Sequence, residues 1–217
     1  MKLLIAIPTH DYVYSDFMKC LMKLILKLKD DGIRFDVDIL TGTLIYSARN
    51  KLARRAVNEG YTHVLWLDSD MIFNEDLLDD LMFSGKQFVS GIYHTRRPPH
   101  GSCIFKDIRL DSITKYMGND YPKDTFEIAG CGFGCVLIDT QIIKDVFMQF
   151  GDAFCPVVGL GEDIAFCDRV SKCGYKMYCE PAVRLGHVGH IAIYPEDHEK
   201  WFVNNNLNEV FNNAGQG

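Results

Sequence analysis

The sequence predicts an α/β fold built on a largely parallel sheet flanked by helices. Three observations predict it: short apolar runs alternate with amphipathic helical stretches, turn residues punctuate them, and 217 residues suit one large domain able to bury a sizeable core. Hydrophobic residues make up 47% of the chain and charged residues 24%, ordinary values for a globular protein. The net charge of −6 argues against non-specific clamping of nucleic acid, an affinity that comes mostly from Lys and Arg. The opening MKLLIAIPTH carries one Lys and a short apolar run before Pro8, so it reads as a buried strand and not as a signal peptide. No stretch approaches the roughly 18 consecutive apolar residues of a membrane span. A cytoplasmic protein with its eight cysteines reduced is expected.

Taken in order, residues 3–7 form the first strand. A helix over about 16–29 follows, with Lys19, Lys23 and Lys27 at helical spacing as a solvated edge. Residues 35–40 are the second strand. The second helix, about 47–59, has Ser47 as its N-cap and Gly60 as its stop, and carries Arg49, Asn50, Arg54 and Arg55. Residues 63–67 are the third strand. A third helix is expected from Asn74 to near Gly85, with Glu75 and Asp76 in the first turn where acids favour the dipole. A strand at 88–93 closes a nucleotide-binding half of about residues 1–93.

The acceptor or catalytic half, about 94–200, is less regular. TRRPPHG (95–101) is a loop by its prolines and glycine, and connecting structure runs to about residue 124. FEIAGCGFGCVLID (126–139) reads as one apolar strand interrupted by Gly130, Gly132 and Gly134, where a missing side chain lets a backbone or ligand approach. Helices at 140–150 and 162–172 and a strand near 175–179 follow. The Asn-rich tail, about 203–217, is expected to fray. With no repeat and no linker, residues 1–217 read as a single domain.

The chemistry starts at VLWLDSDM (64–71). Asp68 and Asp70 flank a serine where the third strand ends, and the carboxyl ends of strands are where open α/β sheets bind ligands. On a strand, residues two apart share a face, so at ~4–6 Å the two carboxylates repel by roughly 1 kcal/mol in water and more in a drier cleft. A cation is expected there: a hard dication such as Mn²⁺ or Mg²⁺ bridges carboxylates to a diphosphate, whereas a polar turn is the plainer reading. GLGEDIAFCDRV (159–170) places Glu162 and Asp163 at a helix start, where acids are also routine dipole partners. GHVGH (186–190) supplies His187 and His190, either structural or metal-binding.

In this order, the strand–D-x-D, glycine-rich strand, Gly-Glu-Asp helix and glycine-flanked His resemble the GT-A-fold nucleotide-sugar glycosyltransferases, nearest to family 2-like members of bacteria and phages. The resemblance spans about residues 3–190 and implies a Rossmann-like, mixed but largely parallel sheet in a single catalytic domain. It implies that Asp70 ligates the metal, that Asp68 acts through a metal-bound water or the donor ribose, and that His187 completes the protein ligands. Pro8 and Thr9 match the family's opening Pro-Thr at the nucleotide, and Arg49 and Asn50 match a segment approaching it. Asp163 becomes the general base, with Glu162 positioning the acceptor. A UDP-sugar is the expected donor and inversion the expected outcome. The acceptor stays open among a glycan, a lipid-linked sugar, a protein or a modified nucleobase.

Two departures stand out. LTGTLIYSARN replaces the family's Asp-Asp-Gly-Ser after the second strand, which leaves the nucleotide choice open. The Gln-x-x-Arg-Trp motif of processive members is absent, Trp201 lying in EKWF instead, so a single transfer is expected. Two other functions compete: a phosphohydrolase with Asp68 as nucleophile and Asp70 as acid, and a non-catalytic sugar-nucleotide binding module. Cys131 and Cys135 and the run Cys167, Cys173 and Cys179 offer zinc as one reading, but with no C-x-x-C pair they read as buried, reduced thiols. Arg96 and Arg97 are either contacts to a donor phosphate or an anionic acceptor, or a solvated loop, and Phe133 is either a sugar platform or core.

Overall fold

The first strand, β1 (Lys2–Pro8), is buried from Leu3 onward, as its unbroken apolar run requires. A computed structural model of the chain describes residues 1–189 and 192–197. From β1 the chain passes through α1 (Ser15–Asp30), β2 (Arg34–Leu40), α2 (Ile45–Asn58), β3 (His63–Leu67), β4 (Met71–Ile72), α3 (Leu77–Phe83) and β5 (Phe88–Ile92). It continues through β6 (Ile104–Asp107), β7 (Thr114–Lys115), β8 (Phe126–Ile128), β9 (Gly130–Cys131), β10 (Cys135–Asp139), α4 (Thr140–Phe150), α5 (Glu162–Lys172), β11 (Met177–Arg184), β12 (Gly186–Val188) and β13 (Ala192–Ile193).

The main sheet has seven strands in the order β2-β1-β3-β10-β5-β11-β8. The pairs β1–β2, β1–β3 and β5–β11 are parallel, whereas β10 runs antiparallel to both its neighbours and β8 antiparallel to β11. This is the mixed, mostly parallel sheet expected. Two three-stranded sheets, β13-β12-β4 and β7-β6-β9, stand beside it.

One face of the sheet packs Leu3, Ile5 and Leu65 against Phe17, Leu21 and Leu24 of α1 and Leu77 and Leu81 of α3. Lys27 of the lysine edge reaches Asp79 of α3 at 2.8 Å, clamping the two helices at the surface. The other face carries Trp66, Phe88, Phe133, Phe154 and Phe166. Phe133 sits centrally, its ring 6.0 Å from Trp66, 5.2 Å from Phe154 and 5.4 Å from Phe166, so it is core. Phe133→Ala is expected to lower unfolding free energy by about 3–5 kcal/mol through lost burial and a cavity, measurable by urea titration.

The element boundaries differ from expectation in four places. Ser47 is not the N-cap of α2; Leu44 is, in an extended conformation with no side-chain cap, because the turn reaches helical geometry before the serine. α3 starts at Leu77, with Asp79 and Asp80 in its first turn instead of Glu75 and Asp76. The glycine-rich segment is three strands, not one: β8 and β10 join the main sheet and β9 joins β6. The glycines make room for a side chain, Tyr93: a Cβ on Gly132 would lie 2.3 Å from its hydroxyl oxygen, and the Gly134 N–H donates to that oxygen at 3.0 Å. The strand expected near 175–179 runs on to Arg184. Helices 140–150 and 162–172 stand as expected. Among the described residues no helix is long and apolar enough to cross a membrane. His190, Trp201 and the tail from residue 203 lie outside the described residues.

Candidate active site

The ends of β1 and β3, the start of α5 and strand β12 open onto one cavity of about 460 Å³. Pro8, Thr9, Arg49, Asp68, Asp70, Glu162, Asp163 and His187 all line it. Asn50 does not. Its buried side-chain oxygen accepts the backbone N–H groups of Ala153 (3.1 Å) and Phe154 (3.0 Å), satisfying two donors in the connection that leads to α5. One step along a helix turns a side chain by about 100°, which is why Arg49 and Asn50 face different partners.

The two aspartates meet different cations. Asp68 Oδ1 accepts from Arg49 Nη2 at 2.8 Å, and Arg49 Nε also lies 3.6 Å from Glu162. Arg49 is buried, its guanidinium 5.2 Å from the Phe133 ring centroid, and its Nε and Nη1 have no protein hydrogen bond. Burial pushes the Asp68 carboxyl up to about 6 against the pull of Arg49, although 31% of its side chain remains accessible. Asp70 Oδ2 lies 3.0 Å from Arg96 Nη1 and 3.5 Å from His187 Nε2. Asp70 Oδ1 is buried with no protein hydrogen bond.

His187 is oriented from behind. Its Nδ1 lies 2.7 Å from the His94 carbonyl oxygen, which can only accept, so Nδ1 carries the proton and Nε2 turns its lone pair to Asp70 in the neutral ring. An imidazole held this way by a backbone carbonyl is the usual preparation of a metal-ligating histidine. The cavity thus brings Asp70 and His187 together while Asp68 is turned to Arg49. Among the described residues no three His, Cys, Asp or Glu side chains converge as a complete metal cage.

Ser69, between the aspartates, accounts for part of the Asp-Ser-Asp pattern. Its hydroxyl donates to Thr9 Oγ1 at 3.0 Å, Thr9 Oγ1 donates to the Tyr12 carbonyl at 2.7 Å, and the Ser69 carbonyl accepts the Tyr14 N–H at 3.2 Å. The loop after β1 is thereby fastened to the carboxylate turn.

In the first turn of α5, Asp163 accepts the Ile164 N–H at 2.8 Å. Desolvation and then the neighbouring Glu162 raise its pKa above the ordinary carboxylate value, the direction suited to a base working nearer neutrality. Tyr93, Cys103, Phe105 and Lys115 also line the cavity. Sequence reasoning missed them because they come from the residue after β5, the residue before β6, β6 itself and β7, and share no local motif. Arg96, from the loop after β5, turns to Asp70 in this cavity.

No family model matches the chain, and no curated protein matches it in sequence. Among solved structures, A197 from STIV aligns with a TM-score of 0.60 at 19% identity, covering 90% of this chain and 91% of that one. A crystal structure of GalNAc-T7 with UDP, GalNAc and Mn²⁺ aligns with a TM-score of 0.54 at 12% identity, covering 87% of this chain. The matched region is 44% of the length of the GalNAc-T7 chain. At these identities the likeness is one of fold, and the fold is that of the GT-A glycosyltransferases.

Proposed function

We propose that this chain is a metal-dependent glycosyltransferase, family 2-like, moving a sugar from a UDP-sugar to an acceptor hydroxyl with inversion. The observation that carries the reading is the convergence in one cavity of Asp68, Asp70, Glu162, Asp163 and His187, drawn from three separate stretches of sequence. Pro8 and Thr9 would hold the nucleoside end, and Arg49 would fix Asp68 towards the donor ribose or sugar. Asp163 takes the proton of the acceptor hydroxyl as its oxygen bonds to the anomeric carbon, while the carbon–oxygen bond to the diphosphate breaks and the diphosphate keeps the electron pair. Glu162 positions the acceptor.

The residues present fit a dication, Mn²⁺ or Mg²⁺. Asp70 offers a buried oxygen free of protein hydrogen bonds, and His187 Nε2 is aimed at the same carboxylate. Asp70 and His187 would hold the ion, with diphosphate oxygens among its other ligands and Asp68 at one remove. When bound, the ion supplies Lewis-acid stabilisation of charge on the leaving diphosphate. A phosphohydrolase using Asp68 as nucleophile fits less well, since Asp68 Oδ1 is already engaged by Arg49.

Two tests follow. A thermal-shift series of nucleoside diphosphates with and without Mn²⁺ is expected to show UDP stabilisation only with the metal. At 100 times Kd the gain is about 2.7 kcal/mol, or roughly 5–10 °C for a chain of this size. No shift with any nucleotide contradicts the proposal. Second, Glu162→Gln removes a neighbouring negative charge that raises the Asp163 pKa, so the acidic limb of the kcat profile is expected to move to lower pH.

A further inference from the structure

We infer that the acceptor carries an anionic group, a phosphate or a carboxylate, bound by Lys115; this rests on the glycosyltransferase reading, which makes the Asp163 wall the acceptor side. The cavity contains three Lys or Arg side chains, and two are committed: Arg49 to Asp68 at 2.8 Å and Arg96 to Asp70 at 3.0 Å. Lys115 has no acidic partner within ion-pair distance among the described residues. Its basic neighbours on the same small sheet and the adjoining loop point elsewhere, Lys106 to Asp120 at 3.6 Å and Arg109 to Asp107 at 2.6 Å.

The position of Lys115 is built, not incidental. β7 pairs antiparallel with β6 with Lys115 opposite Phe105, and both line the cavity. The Lys115 ammonium lies 4.7 Å from the Phe105 ring centroid, a cation–π contact that steadies it without neutralising it. The adjoining residue is held twice: the Tyr116 carbonyl accepts from Ser102 Oγ at 2.6 Å, and the Tyr116 N–H donates to the Ile104 carbonyl at 3.1 Å. The Cys103 thiol beside it is pushed up to about 12 by burial, so it stays neutral and brings no counter-charge.

This cation lines the same cavity as Glu162 and Asp163. β9, at the far edge of the same small sheet, packs on α5: a Cβ on Gly130 would lie 3.2 Å from the Cys167 Cβ. α5 opens with Glu162 and Asp163. The donor end is formed instead by the β1 loop and the Asp68–Asp70 turn. An acceptor hydroxyl presented to Asp163 therefore shares its cavity with a fixed ammonium that no carboxylate neutralises, and the matching group is an anion.

The test is calorimetric titration of glucose, glucose 6-phosphate and glucuronate, in saturating UDP and Mn²⁺ so that the donor phosphate contacts are filled, against wild type, Lys115→Gln and Lys115→Arg. Wild type is expected to bind at least one charged sugar about tenfold or more tighter than glucose. Lys115→Gln is expected to abolish that preference and Lys115→Arg to retain it. The phosphate and carboxylate arms tell which anion is read. Charged and neutral sugars bound alike or not at all, or a preference that survives Lys115→Gln, overturns the inference. UDP binding, measured first, reads the glycosyltransferase proposal separately. If UDP does not bind, that proposal fails, and the same comparison without UDP still reads Lys115.

Discussion

Asp70→Asn is expected to lower sugar transfer by on the order of 10³-fold or more and to remove the Mn²⁺ dependence of UDP binding. One Asp70 oxygen faces His187 Nε2 and Arg96, and the other is buried without a protein hydrogen bond. The amide keeps the shape but loses the charge, so the carboxylate–imidazole pair with His187 is gone. Lewis-acid stabilisation is worth several kcal/mol, and each 1.36 kcal/mol is about tenfold in rate. The fold is expected to survive, because the Asp70–Arg96 pair is part-exposed at the arginine and such pairs contribute about 0–1 kcal/mol. Steady-state kinetics with a UDP-sugar panel, beside melting curves with and without Mn²⁺, measures both effects. Full activity in the variant would remove Asp70 from the chemistry.

Asp163→Asn is expected to bind UDP as tightly as wild type and to lose roughly 10²–10⁴-fold in kcat, the usual worth of a positioned general base. Asp163 lies in the first turn of α5, whereas the nucleotide is assigned to Pro8 and Thr9 after β1, so nucleotide affinity is expected to hold, and its bond from the Ile164 N–H is one an amide oxygen can also accept. Transfer at the normal rate would show that another group takes the acceptor proton.

How much of this was legible in sequence depended on range. The strands and helices set by local apolar period came out close to where they lie, down to the bounds of α4 and α5. The start of α2 was not legible because its N-cap, Leu44, makes no side-chain hydrogen bond. In the glycine-rich segment the close approach was readable, but the group that approaches, Tyr93, comes from 41 residues away. The carboxylates, Gly-Glu-Asp and His187 were visible as motifs, and eight of the nine proposed site residues line the cavity. Asn50 lies off the cavity because its partners, 103 and 104 residues distant, belong to another connection. The cation expected beside the aspartates was read as a metal alone. Arg49 and Arg96 already sit against them, and no local pattern announces either contact.

The most direct measurement is a crystal structure with Mn²⁺ and UDP, using the anomalous signal of manganese to place the ion. It is expected to lie within roughly 2.5 Å of both an Asp70 carboxylate oxygen and His187 Nε2, with the diphosphate against it and the uridine beside Pro8 and Thr9. Manganese and UDP bound away from Asp70 and His187 would contradict the proposal.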